Sequence, residues 1–194
     1  MSLEIRIATS TDAFEACNVL RRSIVECCSL DHRDDPAILE AWLGNKTPQM
    51  VACWFASPTN FSLVAVEAGA VVGVGLLTRA GKLALCYLLP EAQGRGAGKA
   101  LVEQLEAQAR EWGIKALQLH STASSQAFFV KRGYVEAGNV RSPYGVETIF
   151  AGNRLIPQAL PVATPSASAF ATAIRLDGYP AFQPAHPAAG LSSL

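Results

Sequence analysis

The stretch Gln93-Gly94-Arg95-Gly96-Ala97-Gly98 directly follows an apolar run over residues 83–90 and directly precedes a stretch with helical periodicity. Three glycines in five positions leave little side-chain bulk. Several backbone N–H groups there can converge on one phosphate at the start of a helix. This order commits the chain to a strand–loop–helix unit, with a loop suited to a phosphorylated ligand. Two common phosphate loops do not fit. A Walker A loop needs Gly where Gln93 stands and Ser or Thr where Ala100 stands. A dinucleotide fingerprint counted from Gly94 meets Lys99 at its third glycine, and no acidic residue ends a second strand about 20 residues on.

The spacing that fits is Q-x-x-G-x-G, formed by Gln93, Gly96 and Gly98, with Pro90 three residues upstream. It resembles motif A of the GCN5-related N-acetyltransferase (GNAT) superfamily. The flanks agree. Residues 61–67 and 71–78 are β-branched and apolar runs separated by Ala68-Gly69-Ala70, which predicts a hairpin. A third strand is expected over 82–89. Leu101, Leu105, Ala109 and Trp112 share one face of a helix over 99–112, with Gly113 placed to end it. A strand over 115–120 and a short helix over 124–132 follow, the latter closed by Gly133-Tyr134. That helix is similar to a second signature of the superfamily, an aromatic pair (Phe128, Phe129) before Gly and an aromatic residue. At the start, residues 3–7 suit a strand, Thr11 or Asp12 can cap a helix to about residue 28, and Pro36 opens another helix through Leu43. The stretch from Arg22 to Pro48 is similar to the acceptor-side helices of bacterial members of the superfamily.

The resemblance covers roughly residues 3–150. It implies an α/β fold, a mixed central sheet flanked by helices in the order β-α-α-β-β-β-α-β-α-β, within a domain spanning 1–154. It also implies an enzyme that moves an acetyl group from acetyl-CoA to a primary amine of a small molecule or peptide. Gln93, Gly94, Arg95, Gly96, Ala97, Gly98 and Lys99 would then hold the coenzyme pyrophosphate, the glycines by close backbone approach and Arg95 and Lys99 by charge. By the same resemblance, Leu88 and Leu89 carry backbone groups that meet the pantetheine arm, with one N–H of Leu88 facing the thioester oxygen. Phe128 and Phe129 would lie against the coenzyme. The usual pattern places Tyr at position 129 as the acid that protonates the departing thiolate, and phenylalanine cannot do so. Tyr87 is the alternative donor, and a thiolate can also leave into water. The strand over 82–89 holds no carboxylate to serve as a base, so His120, ending the next strand, is the candidate. Glu26 and Asp31, on the acceptor side, could attract a cationic amine.

Composition narrows the alternatives. The 194 residues are half apolar, enough for one buried core. A net charge of zero leaves no footprint for nucleic acid. Five cysteines, an odd number with two adjacent, form no disulfide framework and suit a reducing cytoplasm. The first residues lack the pattern of a signal peptide, and Glu67 with its neighbouring glycines divides the apolar run 61–77 at hairpin spacing instead of letting it span a membrane. His32, His120 and His186 lack metal-ligand spacing, so no metal is expected, and a homodimer is allowed for. Residues 155–194 contain six prolines and only Arg175 and Asp177 as charged residues, which predicts an irregular tail. Two rivals remain: a catalytically weak acyl-CoA-binding module, and an interaction protein that uses the fold without a ligand.

Overall fold

The computed structural model describes residues 2–155, so the expected tail lies outside the described residues except for Leu155. Strand β1 (Leu3–Ile7) leads through a 3-10 turn into helix α1 (Ala13–Cys27). Asp12 ties this entry together. Its carboxylate accepts from the Thr9 N–H at 2.8 Å and from both terminal nitrogens of Arg6 at 2.6 and 2.8 Å. Then come α2 (Ser29–His32), α3 (Pro36–Leu43) and α4 (Pro48–Ala56). Two helices were expected in this region and four are present. Helix α4 repeats the start of α3: Thr47 accepts from the Met50 N–H as Asp35 accepts from the Ala37 N–H, and proline follows each cap. The break between α1 and α2 falls at Cys28, and Arg33 and Asp34 adopt left-handed backbone angles that turn the chain into α3.

Strands β2 (Asn60–Glu67), β3 (Ala70–Thr78) and β4 (Leu83–Leu88) complete an antiparallel sheet in the order β1-β2-β3-β4. After the glycine loop, α5 (Ala97–Glu111), β5 (Ala116–Ser121), α6 (Ala123–Val130), β6 (Val135–Arg141) and β7 (Glu147–Arg154) follow. The last three strands form a second antiparallel sheet in the order β5-β7-β6. One closing strand was expected after α6 and a hairpin is found. Strand β6 is almost wholly exposed and carries no apolar alternation that would announce it. The expected central sheet is mixed only where its halves touch, at the parallel bridge between Lys82 and Gln118, where the Gln118 N–H donates to Gly81 at 2.9 Å.

The alternating glycines of β3 explain how the core closes. A Cβ on Gly75 would lie 3.0 Å from Leu105 Cδ1, and one on Gly73 would lie 3.2 Å from Leu101 Cδ1. The predicted apolar face of α5 therefore sits against bare backbone, and Leu101, Val102, Leu105 and Ala109 are fully buried. Gly113 takes φ +72° after the last turn, as a helix-ending glycine does. A smaller cluster of Ile24, Cys28, Trp42 and Val146 joins α1 and α3 to the β6–β7 turn, with Tyr87 and Tyr144 packed on it. Among the described residues no helix is long and apolar enough to cross a membrane.

Candidate active site

Beyond the Lys82–Gln118 bridge β4 and β5 belong to different sheets, which leaves β4 with an open edge. The Leu89 N–H donates to the Val72 carbonyl at 2.9 Å. Leu88, opposite Gly73, is therefore out of phase with that bond, and its N–H and C=O are directed away from β3 toward the gap. This corrects one expectation: of Leu88 and Leu89, only Leu88 offers its backbone N–H there, because that of Leu89 is committed to β3. The Leu88 side chain points inward between two glycines. Cβ atoms on Gly73 and Gly98 would lie 2.5 and 3.2 Å from its two methyl groups. Gly98, the last glycine of the motif, is thus needed for the contact of α5 with Leu88 and with the Phe128 ring, 3.5 Å from the same point.

The loop itself turns through Gly94 at φ +71° and Gly96 at φ +96°, the latter capping α5. No heavy atom lies within 4 Å of the Cβ positions of these two glycines, so their requirement is conformational. The first-turn N–H groups of α5 have no partners within the helix and carry its partial positive charge. A cleft of about 480 Å³ runs from this loop along β4 to β5 and α6. Of the expected residues, Tyr87, Leu88, Gln93, Gly94, Gly96, Gly98, Lys99, His120, Phe128 and Phe129 line it.

Five expected residues do not. Leu89 and Ala97 are buried in the core. Arg95 turns back to Glu67 at 3.1 Å. Glu26 chelates Arg22 at 2.8 and 3.1 Å, and Arg22 in turn holds Glu91 in the 3-10 turn ahead of the loop. Asp31 is committed to α6: its carboxylate accepts from the N–H groups of Ala123 and Ser124 at 2.7 and 3.3 Å and from the Ser124 hydroxyl at 2.6 Å. Its negative charge offsets the helix N-terminus, and acceptor binding is not supported for it or for Glu26.

His120 sits on the cleft wall with its ring edge-to-face on Phe150, at 5.6 Å between centroids. Its Nδ1 lies 3.4 Å from the Thr148 hydroxyl, whose own hydrogen is donated to the Val140 carbonyl at 2.8 Å. With its hydrogen so placed, the Thr148 oxygen is able to accept from an Nδ1–H of His120. Burial, with Lys82 adding to it, holds the imidazole below its usual range, so it is neutral at pH 7. Phe129 is enclosed by Phe128 and Tyr134, at 5.0 and 5.4 Å between centroids. Tyr134 is buried and donates to Glu106 at 3.1 Å, so it belongs to the core. Burial also pushes the Tyr87 hydroxyl up, which keeps it a proton donor.

Sequence reasoning missed several other lining residues. Ser23, Cys27, Cys28 and Cys86 line the cleft, as do Thr122, Ser124 and Ser125 at the start of α6. Burial raises the Cys27 thiol and pushes those of Cys28 and Cys86 up to about 12, so these walls carry no charge at neutral pH. The hydroxyl run at the start of the predicted helix was a visible signal for the second group, and Cys86 lay on the strand expected over 82–89; Cys27 and Cys28 had none, since their place depends on how α1 lies over β4. Among the described residues no group of three or more His, Cys, Asp or Glu could hold a metal ion.

Comparison with known proteins shows the family and the fold. Residues 30–149 match the model of the acetyltransferase (GNAT) domain. A curated relative, the IAA acetyltransferase of Azospirillum brasilense, is 31% identical over 48% of this chain, which spans 66% of that protein's length. Among solved structures, a GCN5-related N-acetyltransferase from Rhodopseudomonas palustris superposes with a TM-score of 0.71 at 22% identity, covering 79% of this chain and 96% of that one. PaiA N-acetyltransferase from Thermoplasma acidophilum, solved with coenzyme A, gives 0.66 at 19% identity over 79% and 99%. The domain match takes in well over half of the sequence, including β4, the glycine loop and α6, and on that ground the chain belongs to the GNAT acetyltransferase family.

Proposed function

We propose that this protein transfers the acetyl group of acetyl-CoA to a primary amine of a small molecule or peptide. The observation that carries the reading is the single cleft joining the glycine loop, the open edge of β4 at Leu88 and the neutral imidazole of His120. In this reading the pyrophosphate rests on the backbone of residues 93–99 and on Lys99, and the pantetheine arm adds to the edge of β4. The N–H of Leu88 faces the thioester oxygen. Preorganised donors of this kind contribute on the order of 3 kcal/mol because they need not reorient as charge develops. His120 takes the proton lost by the amine directly or through water, and Tyr87 or water returns one to the thiolate. Five free cysteines accord with a reducing compartment such as the cytoplasm.

Calorimetric titration with acetyl-CoA, followed by thiol release against a panel of amines, tests the reading. Saturable binding with amine-dependent release supports it. Binding without release from any amine would favour the second reading, an acyl-CoA-binding module, which Phe129 in the place of a proton donor makes specific. Absence of binding would remove both.

A further inference from the structure

The charge of the cleft selects among amines, and this inference rests on the acetyltransferase reading above. Among the described residues lining the cleft there is no Asp or Glu. The nearby carboxylates are committed elsewhere: Asp31 to the start of α6, Glu26 and Glu91 to Arg22. Beyond the described residues the sequence holds one further acidic residue, Asp177. Of the described lining residues only Lys99 carries a fixed charge; its amine lies 3.8 Å from Glu103 and, in the acetyltransferase reading, faces the coenzyme phosphates. An alkylammonium would leave water here with no carboxylate to receive it, and desolvating an uncompensated charge is costly. It would also need a base able to strip it, and His120, held below its usual range, is a poor one for so weak an acid.

We propose that the acceptor is a weakly basic amine, already uncharged at neutral pH, such as an aromatic amine or an alkoxyamine. The nitrogen lone pair of such an amine attacks the thioester carbonyl, the C–N bond forms and the C–S bond breaks. One proton leaves nitrogen and one is gained by the coenzyme thiolate, so the products are the amide and coenzyme A with no net proton released. An alkylammonium would have to release a further proton to solvent before it could react.

O-Benzylhydroxylamine and 2-phenylethylamine form a matched pair of probes, similar in shape, the first neutral and the second cationic at pH 7. Coenzyme A release, corrected for the uncatalysed reaction, should give kcat/KM higher for O-benzylhydroxylamine by on the order of ten- to a hundredfold, and no release with spermidine. Ala84, exposed on β4 within the cleft wall, provides the control. Ala84→Glu supplies the missing carboxylate and should narrow the ratio by about tenfold. The intrinsic chemistry of the two amines is the same in both proteins, so the change in ratio isolates the charge of the cleft. The proposal is overturned if the wild type prefers 2-phenylethylamine or spermidine, or if the ratio is unmoved in a folded Ala84→Glu that binds acetyl-CoA. It is also overturned if acetyl-CoA binds and neither amine is acetylated; loss of acetyl-CoA binding in the wild type would instead overturn the underlying acetyltransferase reading.

Discussion

Two residues show how little chemistry the side chains of this site need to supply. Gly96 contributes a backbone angle, φ +96°, with open space where a side chain would start. Gly96→Ala should cost coenzyme affinity only through backbone strain, about 1–2 kcal/mol. Gly96→Glu adds a like charge beside the phosphates, so acetyl-CoA binding by calorimetry should collapse while circular dichroism stays native; a folded Gly96→Glu with wild-type affinity would falsify the loop assignment. In the proposed reading His120 contributes a base. Its base form is lost as pH falls through a pKa held below 6.5, so kcat/KM should drop on the acid side of 6.5 and level off above it. His120→Gln should lower turnover by about 10²-fold and remove that inflection. A variant that keeps both its rate and its pH profile would leave His120 a structural residue. The same depressed pKa means that the unfolded chain binds the proton more readily, so this residue's share of stability is lost as pH falls through the folded pKa.

At the scale of elements, the wall of the cleft depends on helix α6, a short helix whose start is held from more than ninety residues away in sequence. Asp31 supplies acceptors for two N–H groups and one hydroxyl there, all partly buried. Asp31→Ala leaves those donors unpartnered and should reduce unfolding free energy by about 1–3 kcal/mol in urea titration. Acetyl-CoA affinity should fall with it, because α6 carries Phe128 and Phe129 into the cleft. A loss under about 0.5 kcal/mol would show that water replaces the carboxylate at no cost. The glycines of β3 act at the same scale, since Gly73 makes room both for α5 and for the Leu88 side chain on which the open edge of β4 rests.

The whole molecule is closed by contacts between its helical layer and the second sheet. Trp42 of α3 stacks on Tyr144 at the β6–β7 turn, with ring centroids 6.1 Å apart and planes 6° from parallel. The buried amine of Lys46 lies over the rings of Trp54 and Tyr144, at 5.8 and 5.3 Å, and donates to the Trp42 carbonyl at 3.2 Å and to the Asn45 side chain. Burial lowers its pKa from 10.5 to about 8. Between about pH 8 and pH 10.5 the unfolded chain therefore binds more protons than the folded one, and stability should rise with pH across that window. Lys46→Met should abolish the rise and leave the thermal midpoint at pH 7 no lower than that of the wild type. A midpoint that falls would mean that the cation–ring contacts outweigh the desolvation of the amine.

The sequence alone determined what is local. Glycine spacing placed the glycine loop ahead of α5, apolar periodicity placed β2, β3 and the buried face of α5, and Gly113 and Gly133 marked the ends of two helices, because each signal is read within a few residues. It left α4 unread although Thr47-Pro48 repeats the cap of α3, and it left β6 unread because an exposed edge strand has no apolar alternation to display. Tertiary structure decided which charges serve the site. Asp31, Glu26 and Arg95 looked available as isolated residues, yet α6, Arg22 and Glu67 take them, and those partners lie 4 to 93 positions away. The choice between Leu88 and Leu89 was likewise made by the phase of β4 against β3. Side-chain pairing and strand phase are set by three-dimensional packing, to which spacing along the chain is blind.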